Sequence, residues 1–148
     1  MIYQLAQINV GRLKHAAEDA RVADFMNNLD YINSIAEASH GFIWRLKDET
    51  GNATNIRTYE DPRIIVNLSV WESTESLQVF AYRTEHVQFF RRREEWFEDF
   101  GGPSMALWWI ESGQYPSPAQ GRERVEYLTK QGSTPQAFTF REKFSAPD

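Results

Sequence analysis

His86 and Arg93 are the residues of this chain whose types and spacing point most directly to chemistry. Imidazole titrates near neutrality without help from its surroundings. A guanidinium seven positions further on is suited to hold an anionic oxygen such as a phenolate, carboxylate or enolate. On a continuous helix turning about 100° per residue, the two fall within roughly 20° of each other. Phe89, Phe90, Trp96, Phe97 and Phe100 share that face, whereas Arg91, Arg92, Glu94, Glu95, Glu98 and Asp99 fall elsewhere. A base and a cation set in a ring wall describe a site that deprotonates a phenol-type group and stabilises the anion. The same residues also fit a structural role, His86 on a backbone carbonyl and Arg93 paired with Glu72 or Asp99, because polar groups among rings must find partners. Asn9, Asn33 and Asn67 are candidates for neutral hydrogen bonds to a ligand. Trp44, Trp71, Trp96, Trp108 and Phe90 are candidates for its flat walls.

The elements that must position these groups follow from the apolar pattern. Residues 3–10 alternate as a strand, with Leu5, Gln7 and Asn9 on one side and Ala6, Ile8 and Val10 on the other. Val22, Phe25, Met26, Leu29, Ile32 and Ala36 recur at helical spacing over residues 20–38, a helix that Gly41 closes. Residues 42–47 form a second strand, with Phe42, Trp44 and Leu46 on one face and Ile43 and Arg45 on the other. Residues 48–62 are a polar, turn-rich connection. Residues 63–71 form a third strand, nearly continuous in Ile, Val and Leu, whose polar residues Asn67 and Ser69 share a face. Ser73 caps the next helix. Its apolar register shifts near Arg83-Thr84, before the His86 helix, and Gly101-Gly102-Pro103 ends that helix. Residues 104–111 form a fourth strand. Ser117-Pro118 opens a last helix to about residue 131, with a weak apolar face of Gly121, Val125 and Leu128. Phe138, Phe140 and Phe144 are spaced evenly enough for an extended arm lying on another surface.

The order matches the split β-α-β-β-α-β of α+β, ferredoxin-like folds: a four-stranded antiparallel sheet with two helices on one face. Residues 1–148 are expected to form one domain, with a core over about 1–112 and a C-terminal helix and arm over 113–148. The bare sheet face, read as presenting Trp44, Val66, Leu68 and Leu107, calls for a cover. A second copy packed sheet to sheet, a dimeric α/β barrel, is the expected one.

Composition narrows the function. The 148 residues carry a net charge of −5, and the one basic run, Arg91-Arg92-Arg93, points three ways on a helix, so no nucleic-acid or anionic-membrane footprint is expected. Without cysteine, thiolate chemistry and Cys-based metal sites are excluded. Three scattered histidines lack zinc spacing, and no metal is expected. No Gly-rich nucleotide motif occurs, and neither does a Gly-x-Ser-x-Gly elbow. No signal peptide or ~20-residue apolar run is visible, so the expected location is the cytoplasm. Ten Phe, six Tyr and five Trp, 14% of the chain, exceed what so small a core usually hides; they can line a pocket, an interface or an aromatic-rich interior.

The segments Leu5-Ala6-Gln7-Ile8-Asn9-Val10, Gly41-Phe42-Ile43-Trp44-Arg45-Leu46, Val66-Asn67-Leu68-Ser69-Val70-Trp71-Glu72-Ser73, Tyr82-Arg83-Thr84-Glu85-His86, Arg91-Arg92-Arg93-Glu94-Glu95-Trp96-Phe97 and Leu107-Trp108-Trp109 resemble a bacterial family known as domain of unknown function 3291. The likeness runs over essentially the whole chain. It implies membership of the dimeric α/β-barrel superfamily, with its cofactor-independent quinol monooxygenases, EthD-like proteins, haem-degrading monooxygenases and chlorite dismutases. It implies no established activity, since one fold hosts many functions. Two functions therefore stand as expectations. One is a cofactor-independent monooxygenase or isomerase acting on an aromatic or quinol-like compound. The other is a non-catalytic, homodimeric ligand-binding or scaffold protein. Haem, with His86 as axial ligand, is a weaker third.

Overall fold

The first strand, β1 (Tyr3–Leu13), is apolar along one face at Ala6, Ile8 and Val10 and mixed along the other at Leu5, Gln7, Asn9, Gly11 and Leu13. In the computed structural model, which describes residues 2–48, 51 and 56–148, this strand is the centre of a single antiparallel sheet. On one side β1 pairs with β3 (Ile64–Trp71), in a register that sets Leu5 opposite Trp71 and Asn9 opposite Asn67. β2 (Phe42–Arg45) flanks β3. On its other side β1 pairs with β5 (Met105–Glu111) through Tyr3–Asn9. The short β4 (Phe97–Glu98) takes over at Arg12 and Leu13. The strand order β2-β3-β1-β5 interleaves two β-α-β units.

Helices fill the two crossovers. The helix expected over residues 20–38 is divided into a 3-10 turn at Ala20–Val22, α1 (Ala23–Asn27) and α2 (Leu29–Ala38). Asn28 breaks it, at φ −103° and ψ 3°, with its side-chain amide donating to the Asp24 carbonyl at 2.7 Å. Such side-chain competition for backbone acceptors disfavours Asn inside helices. Gly41 adopts φ +84°, and a Cβ there would lie 2.5 Å from the Ser76 Cβ, so glycine is required both by conformation and by space. α3 (Thr74–Arg83) begins at a reciprocal cap between Ser73 and Ser76. The helix expected to carry His86 through Phe100 also breaks. It comprises α4 (His86–Arg91) and α5 (Arg93–Trp96), and the chain then joins the sheet as β4.

The opposite sheet face is covered within the chain. α6 (Pro118–Gln131) starts at the Ser117–Gln120 cap and buries Gly121, Val125 and Leu128 against it. A Cβ at Gly121 would sit 2.6 Å from Ile8 Cδ1, so the glycine sets how closely helix and sheet approach. Ala6, Ile8, Val66, Leu68, Ala106 and Trp108 form the core beneath. The face that was expected to require a second copy is thus occupied by α6. Leu107, assigned to that face, lies on the other, with Leu5, Trp71 and Phe138. The arm turns back after α6, and Phe138 exchanges two backbone hydrogen bonds with Leu107, at 2.7 and 2.9 Å.

Because α6 covers the sheet with so few apolar residues, each should matter. Leu128→Ala is expected to cost about 2–4 kcal/mol in a urea titration, whereas a loss under about 1 kcal/mol would show that the helix rests loosely on the sheet.

Candidate functional site

On the face away from α6, the broken helices do not close over the sheet. A cavity of about 770 Å³ lies between them, within the usual range for small-molecule sites. Its two ends are marked along β1. At the Leu5 end, Trp71 packs edge-on against Phe42 and stacks on Phe80, their centroids 5.4 and 5.3 Å away. At the Leu13 end, Phe25 meets Phe97 edge-on at 4.9 Å, and Trp96 lies 5.6 and 6.1 Å from Phe25 and Phe89. Arg92 fastens this second cluster. It stacks over the Trp96 ring at 4.6 Å and bonds Asp24 on α1 at 2.9 Å and Glu95 at 2.8 Å.

Between the ring clusters the floor is polar. Gln7, almost wholly buried, donates from Nε2 to Asn67 Oδ1 and to Ser69 Oγ, both at 2.7 Å. Its Oε1 accepts from Asn9 Nδ2 at 2.7 Å. Ser69 Oγ also accepts from the Trp71 indole N–H at 2.9 Å. Gln7 and Ser69 were not among the candidate residues. Their signal was present all the same: Gln7-Asn9 and Asn67-Ser69 are polar alternates on one face of each of the two central strands. Buried amides of this kind persist where they are hydrogen-bonded to one another.

The candidates fall into three groups. Asn9, Asn33, Asn67, Trp71, Phe90, Trp96 and His86 line the cavity. Trp44 and Trp108 do not. A β-bulge between Phe42 and Trp44 turns Phe42 and Arg45 toward the cavity and sends Trp44 to the α6 side, where it stacks on Tyr115. Trp108 is buried under α6. Arg93 reaches the cavity only at its rim. The break at Arg92 turns it out of line with His86. Its guanidinium is exposed, donating to the Phe90 carbonyl at 2.9 Å and lying 4.2 Å over the Phe90 ring. Neither Glu72 nor Asp99 is its partner in these contacts. The bulge instead brings a different cation, Arg45, to the cavity wall in register with Ser69.

His86 packs against Phe80, centroids 4.8 Å apart, and its Nδ1 lies 3.0 Å from the Ala81 carbonyl. A carbonyl can only accept, so Nδ1 carries the proton and Nε2 is left with its lone pair. Burial pushes the imidazole below its ordinary value, more strongly than the Ala81 bond raises it.

The family model described as a domain of unknown function (DUF3291) matches residues 4–148. The chain belongs to that family. No curated protein matches it. Among solved structures, the NE2512 protein of unknown function from Nitrosomonas europaea superposes with a TM-score of 0.52 at 12% identity, over 78% of this chain and 97% of that one. PA3566 from Pseudomonas aeruginosa gives 0.49 at 14% identity, over 79% and 97%. The first of these supports a shared fold and nothing about chemistry. Among the described residues, no helix is long and apolar enough to cross a membrane. No three His, Asp or Glu side chains among them gather as a metal site would.

The His86 environment has a pH consequence. The folded state holds this proton less tightly than the unfolded chain, so the unfolded state takes up more protons as pH falls below about 6.5, and stability drops there. Unfolding free energies from urea titrations between pH 7.5 and 5 should fall more steeply for the wild type than for His86→Gln, by no more than about 1.4 kcal/mol per pH unit, one proton's worth. Equal slopes would show that the ring is solvated.

Proposed function

We propose that this protein binds a flat, largely apolar small molecule between its broken helical layer and the sheet. One observation carries the reading. Asn9 and Asn67 face each other across the two central strands, where a sheet is normally sealed by its helices, yet both are exposed. An open polar floor between two ring clusters matches the general form of a ligand site, apolar walls with a few convergent polar groups. The polar edge of the ligand meets the asparagines, and its rings lie against the half-buried Phe42 at one end or Phe89 at the other. The dimeric barrel implied by the superfamily resemblance would require α6 to leave Ile8 and Trp108, and the reading rests on the cavity of one chain.

A catalytic use of the cavity is favoured by a second observation. With Nδ1 committed to Ala81, a neutral His86 offers Nε2 as a base to a phenol or quinol, the first step that a cofactor-independent monooxygenase or isomerase would need. Asn67 and Asn9 then supply neutral hydrogen bonds to the resulting oxyanion.

A thermal-shift panel of naphthols, hydroquinones and anthraquinones tests the binding function. A true ligand at a hundred times its Kd adds about 2.7 kcal/mol of stability. Asn67→Trp, which fills the floor, should remove the shift; no shift with any compound, or one that survives this substitution, would refute the cavity as the site. For the catalytic use, oxygen uptake with the quinols should fall by about 100-fold or more in His86→Ala, and equal or absent uptake in both proteins would leave only binding.

A further inference from the structure

We infer that the cavity selects an anionic ligand, an aromatic carboxylate or phenolate, whose charged oxygens are held by Arg45. This rests on the proposed binding function and names its ligand class. The Arg45 side chain is only 10% exposed, and its Nε is buried with no hydrogen-bond partner. Glu37 approaches its guanidinium no closer than 3.7 Å, beyond hydrogen-bond range, and is itself 41% exposed. A guanidinium withdrawn from water is expensive unless anionic oxygens complete it. Here Nε lacks any such oxygen and Nη2 has only the distant Glu37, and the residue borders a cavity.

The neighbours on the floor reinforce the choice of sign. Arg45 lies opposite Ser69, which lies opposite Gln7, so the three form one row across β2, β3 and β1. Ser69 Oγ already accepts from Gln7 and from Trp71. Asn67 Oδ1 accepts from Gln7, and Gln7 Oε1 from Asn9. The network thus consumes acceptors on this row and leaves donors: the Ser69 hydroxyl, the Asn67 Nδ2 and the guanidinium itself. Asn9 Oδ1 has no partner within this network, and the Asn67 and Gln7 amide oxygens each keep one lone pair. A floor of donors beside an incompletely paired cation is complementary to carboxylate or phenolate oxygens, which only accept. Phe42, half-buried on the same strand as Arg45 and also lining the cavity, gives the attached ring its place. Arg93, the cation first expected in this role, is already engaged by Phe90 at the rim.

Calorimetric titration of the full chain with 2-naphthoate and with 2-naphthamide, its neutral counterpart of nearly the same shape, tests the inference. The wild type should bind naphthoate more tightly by about tenfold or more, the range of a charge-assisted pair. Arg45→Met should abolish that preference while still binding the amide. Equal affinities in the wild type, or a preference that survives Arg45→Met, would overturn the assignment. The wild-type comparison decides the sign of the ligand even if the variant does not fold. If neither compound binds the wild type, the binding function itself fails, and this inference with it.

Discussion

A strand hydrogen-bonded on both edges has only its two faces left to satisfy, and β1 imposes that condition on the whole molecule. Its ladders to β3 on one side and to β5 and β4 on the other leave the rows of Ala6-Ile8-Val10 and Leu5-Gln7-Asn9 to be covered by separate layers. The first row is purely apolar and takes a continuous 14-residue helix seated on a glycine. The second mixes apolar and amide side chains and takes a layer of short, interrupted helices. Coverage there is complete at the ends and open in the middle. The cavity is thus a consequence of where the amides stand in β1 and β3, because hydrophobic burial gives no reason for a helix to close over them.

The two interruptions are also tied to each other. Asn28 and Arg92 end their helices within the layer, and the Arg92 guanidinium bridges the two breaks through Asp24 while lying on Trp96. A stacked, doubly bonded arginine is a directional link that lysine would not reproduce. The indole of Trp71 performs a comparable task at the other end, since its N–H fixes the Ser69 hydroxyl, and Ser69 in turn orients Gln7.

Much of the architecture was legible in the residues. The period-two pattern of 3–10, the apolar run of 63–71 and the Ser-Pro opening of the last helix each mark an element found in place, and the weak face Gly121-Val125-Leu128 is the one that packs. What the pattern could not convey was tertiary choice. The wheel that joined His86 to Arg93 assumed an unbroken helix, and the break at Arg92 removes that premise. The alternation that grouped Phe42 with Trp44 assumed a regular strand, and one bulged residue reversed the sides. Arg45, which the alternation grouped with Ile43, showed no sign of a role, because burial of a charge is a property of the folded surroundings and leaves no mark in a four-residue strand. Residues 49, 50 and 52–55 of the polar 48–62 connection lie outside the described residues.

The return of the chain at Phe138 has a bearing on colloidal behaviour. β5 borders the sheet, and its outward N–H and C=O groups would otherwise be a template for a strand from another molecule. The two bonds from Phe138 to Leu107 occupy the middle of that template, and the ring beneath is fully buried, so the plug is anchored as well as placed. At the far border, β2 offers only four residues, too few for a stable foreign ladder. Both margins are thereby guarded against fibrillar growth, although the sheet between them is rich in Val, Ile and Trp.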